Sequence, residues 1–268
     1  MFKSKNVFGA LFQMSLRARI GGTLDFSTID WSGKLTSMVF FAGCNFRCPY
    51  CHNADLIPPM SGRDCEVEEI IGRLEKNAGI IDAVGFTGGE PCLQGEVLEC
   101  LAKRAKDIGL KVFLNTNGTN PIIVNRLLNA RLLDALAMDI KAPLNLEFYG
   151  RLTGVESPVT DAENIRRIRA TLEICVRKRL SLEVRTTIVP GLIECERNVK
   201  DIARECKGAD IYVLQQFSPE GNLLDPDLAS VVPPSRNGLI KLAKAVVGCG
   251  LKEIRIRTRE RGEEKIWP

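Results

Sequence analysis

The sequence predicts an α/β protein, an open and partial (β/α)6 barrel of the TIM-like kind. Two observations predict it. Short apolar runs alternate along the chain with longer stretches whose apolar residues recur at three and four, and this repeats from end to end. Strands that alternate with helices pair in parallel through crossover connections. About six such units fit, too few to close the eight-stranded barrel, whose usual size is about 250 residues.

The expected elements follow in order. Strands are expected at residues 37–42, 83–87, 111–115, 135–140, 181–189, 211–215 and 253–257, each a short apolar run. Helices are expected between them at 66–77, 95–108, 122–130, 161–178, 195–206 and 236–247. In the fourth of these, Ile165, Ile168, Leu172 and Val176 fall on one face. The run from Lys252 to Lys265 mixes signs, and Ile254 and Ile256 alternate with charged residues, which reads as an edge strand with a solvated face. No linker, repeat or low-complexity tract divides the chain, so residues 29–268 read as one domain behind an N-terminal extension at 1–28.

Composition bounds the function. The 268 residues are 45% hydrophobic, enough for a substantial core, and the net charge of +4 is a small excess of 37 basic over 33 acidic groups. A nucleic-acid footprint needs basic residues clustered on one face, so no nucleic-acid partner is expected. No run approaches the ~18 apolar residues of a membrane span, so no membrane partner is expected either. Lys3 and Lys5 ahead of residues 7–12 loosely mimic a signal peptide, but Arg17 and Arg19 follow without a small-residue cleavage site. A ragged extension, with Met14 as an alternative start, is the preferred reading. Ten cysteines in a chain of this length read as reduced thiols, and hence as a cytoplasmic protein.

Cys44, Cys48 and Cys51 stand in the spacing CxxxCxxC. A structural zinc site closes its tetrahedron, and the alternative reading completes one with His52, the chain's single histidine. An iron–sulfur cluster held by three cysteines instead keeps one iron open to a ligand that is not protein. Further motifs fall at the carboxyl ends of the next strands, where parallel β/α folds bind ligands. Gly88-Gly89-Glu90-Pro91 follows the second strand, and paired glycines let main chain approach a ligand, or simply make a turn. Asn115-Thr116-Asn117-Gly118 follows the third and is weak alone. Asp139-Ile140-Lys141 ends the fourth, where a carboxylate and an ammonium need partners, either a ligand or each other. Arg185 alternates with apolar neighbours and reads equally as a ligand contact or a barrel-lining salt bridge. Gln215, Gln216 and Phe217 end the sixth strand. The other seven cysteines form no CxxC pair and read as buried small hydrophobes, with Cys92 notable for following the glycine pair.

CxxxCxxC with Tyr50 before the last cysteine resembles the signature of the radical S-adenosylmethionine (SAM) superfamily. The strings VGFTGGEPCLQ, LNTNGTNP, AMDIKAPL, TTIVPG and YVLQQFSP resemble the longer-form activating proteins of anaerobic ribonucleoside-triphosphate reductases, a group of glycyl-radical enzyme activating enzymes. The resemblance covers about residues 25–219. It implies a partial barrel of the radical SAM type, one 4Fe–4S cluster on Cys44, Cys48 and Cys51, and SAM chelating the open iron. It places Tyr50 against SAM, gives the SAM amino group to Gly88, Gly89 and Glu90, and puts Thr116, Asn117, Asp139, Lys141 and Arg185 around the cofactor. Asn115 stands where the pyruvate formate-lyase activase has an aspartate that helps bind a monovalent cation, and lacks its charge. The implied reaction is a one-electron reductive cleavage of SAM to a 5′-deoxyadenosyl radical, with flavodoxin or ferredoxin as donor. The radical then takes a hydrogen from a glycine Cα of a partner, anaerobic ribonucleotide reductase. No acid–base residue is needed, and none is assigned a catalytic role. Residues 53–84 hold one cysteine, so the inserted two-cluster domain of many activases is not expected. The alternatives are a radical SAM enzyme that modifies a small molecule or nucleobase, and a non-enzymatic structural metal-binding protein.

Overall fold

The computed structural model describes residues 16–155 and 157–267. Its strands are β1 (Arg17–Ser27), β2 (Thr36–Phe41), β3 (Arg63–Glu66), β4 (Ala83–Gly88), β5 (Lys111–Thr116), β6 (Ala135–Asp139), β7 (Ser181–Ile188), β8 (Ile211–Gln216), β9 (Glu253–Thr258) and β10 (Gly262–Trp267). Its helices are α1 (Val67–Asn77), α2 (Gly95–Asp107), α3 (Pro121–Asn129), α4 (Tyr149–Thr153), α5 (Pro158–Arg177), α6 (Glu196–Glu205) and α7 (Arg236–Ala245). All strands share one sheet in the order β10-β9-β8-β7-β6-β5-β4-β2-β1-β3. From β2 to β9 every neighbouring pair is parallel, with helix-bearing crossovers between them, while β1, β3 and β10 pair antiparallel. The sheet is open: β3 and β10 are its two ends.

Period-two alternation sorts the strand residues onto two faces. Val112, Leu114, Leu136 and Met138 join the main apolar core under the helices, with Ile165, Ile168 and Leu172 of α5 and Val67, Ile70, Ile71 and Leu74 of α1. The intervening residues face the concave side. There Phe113, Ala135 and Ala137 form a second small cluster capped by Trp31, whose ring stacks on Phe113 with centroids 5.4 Å apart. The same parity, carried along the parallel registers Asp139↔Arg185, Thr187↔Gln215 and Gln215↔Arg257, puts polar side chains on the concave face at the strand ends.

Helix starts are set by local chemistry. Asn120 and Ser157 each accept a backbone N–H from inside the following helix, and Pro121 and Pro158 begin α3 and α5. That is why α5 starts three residues ahead of its expected position.

Two expectations are corrected, and two short elements are added. Within the expected extension at 1–28, residues 17–27 form β1, which pairs with both β2 and β3; residues 1–13, with the alternative start at Met14, lie outside the described residues. Only Ala18 and Ile20 there alternate as fully buried residues among charges and glycines, so the apolar signal is weak. The mixed-charge run after Lys252 is two strands, an inner parallel β9 and the edge β10, turned back at positive-φ Gly262. Its charges are not simply solvated. Arg255 and Arg257 both pair with Glu263 at 2.5 Å, Arg257 reaches Glu183 of β7 at 3.6 Å, and Glu183 pairs with Arg185. An ion-pair chain thus runs across the concave face from the edge hairpin towards the strand-end site. Finally, α4 and β3 are too short, at five and four residues, to carry a period.

No helix among the described residues is long and apolar enough to cross a membrane.

Candidate active site

The cysteine loop leaves β2 and lies directly on the main chain that follows β4. Gly43 donates its N–H to Leu56 at 2.7 Å and Cys44 to Ile57 at 3.0 Å. Gly89 donates to Phe41 and Glu90 to Gly43, both at 2.8 Å. A Cβ on Gly89 would stand 2.2 Å from the Gly43 carbonyl oxygen, and one on Gly88, whose φ is +112°, would stand 2.3 Å from that of Phe41. Gly89 is therefore required by the cysteine loop's own backbone and Gly88 by the end of β2. On its other side the loop rests on α4: Arg47 donates to Thr153 at 2.7 Å, and Phe46 packs edge-on against Tyr149 at 5.9 Å. The segment after β8 ties in too, with Asp225 donating to Pro49 at 2.9 Å.

Cys44, Cys48 and Cys51 line one cavity of about 400 Å³ at the carboxyl ends of the parallel strands. Burial pushes the Cys44 thiol up to about 11 and the Cys48 thiol up to about 12. As thiolates in this setting they need positive charge beside them. All three are free thiols, and among the described residues no group of three Cys, His, Asp or Glu converges to hold a single metal ion. Three thiols around one space suit three irons of one cluster, whereas a zinc ion needs its donors about 2.0–2.3 Å from a single point. His52 lines the cavity but is exposed.

Asp139 and Lys141 line the same cavity, with Lys141 Nζ 2.9 Å from Asp139 Oδ2. Burial opposes ionisation of Asp139, but Lys141, Arg185 and Arg257 outweigh it and hold the carboxyl below its usual range. For Lys141, burial works against the charge and Asp139 with the Cys48 and Tyr50 side chains overcomes it, so the ammonium stays protonated. Arg185 makes the barrel-lining salt bridge that one sequence reading expects. It pairs with Glu183, donates from Nη1 to Asn115 Oδ1 at 3.1 Å, and lies over the Phe113 ring at 5.7 Å. Its Nη2 has no hydrogen-bond partner among the described residues, although the residue is only 8% exposed, and it lines the cavity. A buried guanidinium nitrogen without a partner, on a residue that lines a cavity, is a donor that a ligand acceptor reaching it would satisfy.

Of the other expected contacts, Tyr50, Gly88, Gly89, Thr116 and Asn117 line the cavity. Glu90 does not, and this differs from the expectation that it meets a ligand amino group. Fully buried, it accepts hydrogen bonds from Cys92 N at 2.9 Å, Thr116 Oγ1 at 2.8 Å and Asn117 N at 2.7 Å. Its role is to tie the end of β4 to the end of β5. Cys92 is buried beside it, and Phe217 is fully buried in the main core. The sequence reading missed Asp30, Thr187 and Arg257, all on the cavity wall. Thr187 and Arg257 had a usable signal, since they sit two residues past Arg185 and across the register from Gln215, on the same strand parity. Asp30, in the β1–β2 connection, had none.

The fold is matched among known proteins. The sequence profile of the radical SAM superfamily matches residues 38–206. The chain belongs to the radical SAM superfamily. A protein of Methanocaldococcus jannaschii, named provisionally as a glycyl-radical enzyme activating enzyme, is 33% identical over 230 residues, 85% of this chain and 92% of that protein. The pyruvate formate-lyase-activating enzyme of Clostridium pasteurianum is 26% identical over 91% of this chain and 93% of its own length. Among solved structures, a radical SAM methyltransferase from Sphaerobacter thermophilus superposes with a TM-score of 0.65 at 17% identity, over 85% of this chain and 67% of that one, a likeness of fold. Members of the superfamily use a 4Fe–4S cluster and SAM, and the donor set here fits them: three thiols for three irons, with the cationic Lys141 and Arg185 lining the same cavity for an anionic ligand.

Proposed function

We propose that this radical SAM enzyme generates a glycyl radical on a partner enzyme. The observation that carries the reading is the near full-length likeness to the M. jannaschii protein, 33% identity across 92% of that chain. The fold supports it: the concave face is not enclosed, because the sheet ends on β3 and β10, and an extended polypeptide segment can approach along it. Among partners, the strings from residue 84 to residue 219 favour an anaerobic ribonucleoside-triphosphate reductase, with flavodoxin or ferredoxin as electron donor and the cytoplasm as the compartment.

When bound, the cluster and SAM would supply one-electron radical chemistry, with the electron coming from the external donor. The chain's own groups position and shield. Cys44, Cys48 and Cys51 hold the cluster. Lys141 would take the SAM carboxylate, and Asp139 keeps Lys141 charged and oriented across their 2.9 Å contact. Arg185 Nη2 offers a second donor to the carboxylate or ribose. Gly88, Gly89, Thr116 and Asn117 present main chain and an amide to the amino end, Glu90 fixes them from behind, and Tyr50 covers SAM from the cysteine loop.

The test is anaerobic incubation with reductant, SAM and a candidate reductase, read by electron paramagnetic resonance. A glycyl doublet on the partner is the expected result. SAM cleavage with no protein radical on any of a panel of glycyl enzymes would overturn the reading in favour of a small-molecule substrate. A second expectation isolates the SAM contacts. Lys141→Ala should weaken SAM binding by about 10–100-fold, the worth of one charge-assisted hydrogen bond of about 1.5–3 kcal/mol, while iron content stays at the wild-type value. Equilibrium SAM binding and iron analysis on the same preparation check it.

A further inference from the structure

No motif gives Asn45 a role, since it is the first unspecified position between Cys44 and Cys48. In the structure it closes a ring of side-chain hydrogen bonds. Asn45 Nδ2 donates to Thr119 Oγ1 at 3.0 Å, Thr119 Oγ1 donates to Asn117 Oδ1 at 2.7 Å, and Asn117 Nδ2 donates back to Asn45 Oδ1 at 2.8 Å. Each amide and hydroxyl both gives and receives, so the bonds polarise one another in one sense around the ring. The ring is anchored from beneath, where Asn117 N donates to the buried Glu90 carboxylate at 2.7 Å. Asn117 and Thr119 are only 6% and 4% exposed, whereas Asn45 is exposed at the top.

The placement gives the ring a consequence. Asn117 and Cys44 line the same cavity from different strand ends, β5 and β2. The loop's main-chain ties run from Gly43 and Cys44 to the segment at 56–57, from Arg47 to α4 and from Pro49 to Asp225, and only the Gly43 carbonyl, which accepts from Glu90 N, leads towards the β5 end, through the Glu90 carboxylate. Asn45 supplies the side-chain link from the first cysteine of the loop to Asn117.

We infer that Asn45 is a positioning residue that clasps the cluster loop to the β5 end of the SAM seat, setting the distance between the cluster's open iron and the bound SAM. This rests on the reading of Asn117 as part of that seat. The clasp touches neither cofactor. It acts through Asn117, so breaking it loosens SAM and its chelation without removing a ligand from the cluster.

The experiment uses anaerobically reconstituted protein and compares wild type with Asn45→Leu, Asn45→Ala and Asn117→Ala. Iron per chain, equilibrium SAM affinity and the change that SAM produces in the reduced cluster's paramagnetic resonance spectrum are measured on each. Asn45→Leu and Asn45→Ala are expected to keep the wild-type iron content, to bind SAM about 5–20-fold more weakly, as loss of two neutral hydrogen bonds allows, and to show a diminished SAM-induced spectral change. An Asn45→Leu/Asn117→Ala double variant is expected to be no weaker than Asn117→Ala alone, because both break one coupling. SAM affinity within about twofold of wild type in both Asn45 variants, with Asn117→Ala clearly weakened, overturns the clasp and leaves the seat standing. Unchanged affinity in Asn117→Ala removes that part of the seat and the clasp with it. Weaker SAM binding that only tracks iron loss overturns the proposal in favour of a purely structural role for the loop.

Discussion

Cys48→Ala is expected to abolish SAM cleavage. The side chain is 6% exposed and lines the cavity with Cys44 and Cys51. Burial pushes its thiol up to about 12, so it becomes a thiolate only where metal charge compensates. Alanine leaves two thiolates for a cluster that this chain can supply with three. The fall in turnover should be at least ~100-fold, the upper range that loss of even an outer partner of a metal ligand reaches. Iron and acid-labile sulfide should fall with it, while the apo protein unfolds close to the wild-type temperature, because the Cys48 thiol already borders the cavity and its removal widens an existing space. Cys195→Ala is the matched control: that cysteine is exposed and caps α6 through a weak sulfur contact at 3.5 Å. It should keep iron, sulfide and turnover. Wild-type protein that takes up one zinc and no iron, or a Cys48→Ala enzyme that still turns over, would sink the assignment.

The strands of the parallel sheet were legible because each is an apolar run buried on both faces or alternating, and helices at three-and-four spacing separate them. What escaped sequence reading escaped for specific reasons. β1 buries Ala18 and Ile20 on one side and shows Arg17, Arg19 and two glycines on the other, so its period is broken where bulges shift its register against β2. The hairpin of β9 and β10 was masked by its charges. Arg255, Arg257 and Glu263 sit on a concave face that is polar, and their burial is stabilised by each other and not by apolar neighbours. In the site itself, the cysteines, Asp139, Lys141 and Arg185 were legible by residue type at strand ends. Glu90 was read by motif as a ligand contact. Only geometry shows that its carboxylate faces Cys92, Thr116 and Asn117. Asn45 and Asp30 carry no pattern at all, since their meaning lies in partners more than seventy residues away or in a loop folded over the concave face.

Gly89→Ala is expected to destabilise the protein before any cofactor binds, and this separates two uses of a glycine pair. If the pair served only a ligand's close approach, alanine would leave the apo fold intact and weaken SAM alone. The geometry says otherwise. An added methyl at Gly89 would meet the Gly43 carbonyl oxygen at 2.2 Å and its carbon at 2.8 Å, with the Leu56 carbonyl at 3.2 Å. These are backbone atoms that cannot rotate away, and they are held in place by the bonds Gly43 N to Leu56 O, at 2.7 Å, and Glu90 N to Gly43 O, at 2.8 Å. Relief therefore requires the cysteine loop to lift off the end of β4 and break those bonds. Overpacking of this kind costs about 1–3 kcal/mol and more where backbone must move. Backbone must move here, so the cost sits at about 3 kcal/mol, and at about 2–4 °C per kcal/mol for a domain of this size the apo melting temperature should drop by roughly 6–12 °C. Iron incorporation should fall as well, because the displaced segment carries Cys44. Gly72→Ala supplies the contrast: Gly72 lies inside α1 with no atom within 4 Å of its would-be Cβ, and alanine there should raise stability by about 0.5–1 kcal/mol. Thermal unfolding of the three apo proteins decides the matter. A Gly89→Ala apo protein that melts within about 2 °C of wild type but binds SAM poorly would return the glycine to the ligand and leave the cysteine loop free of it.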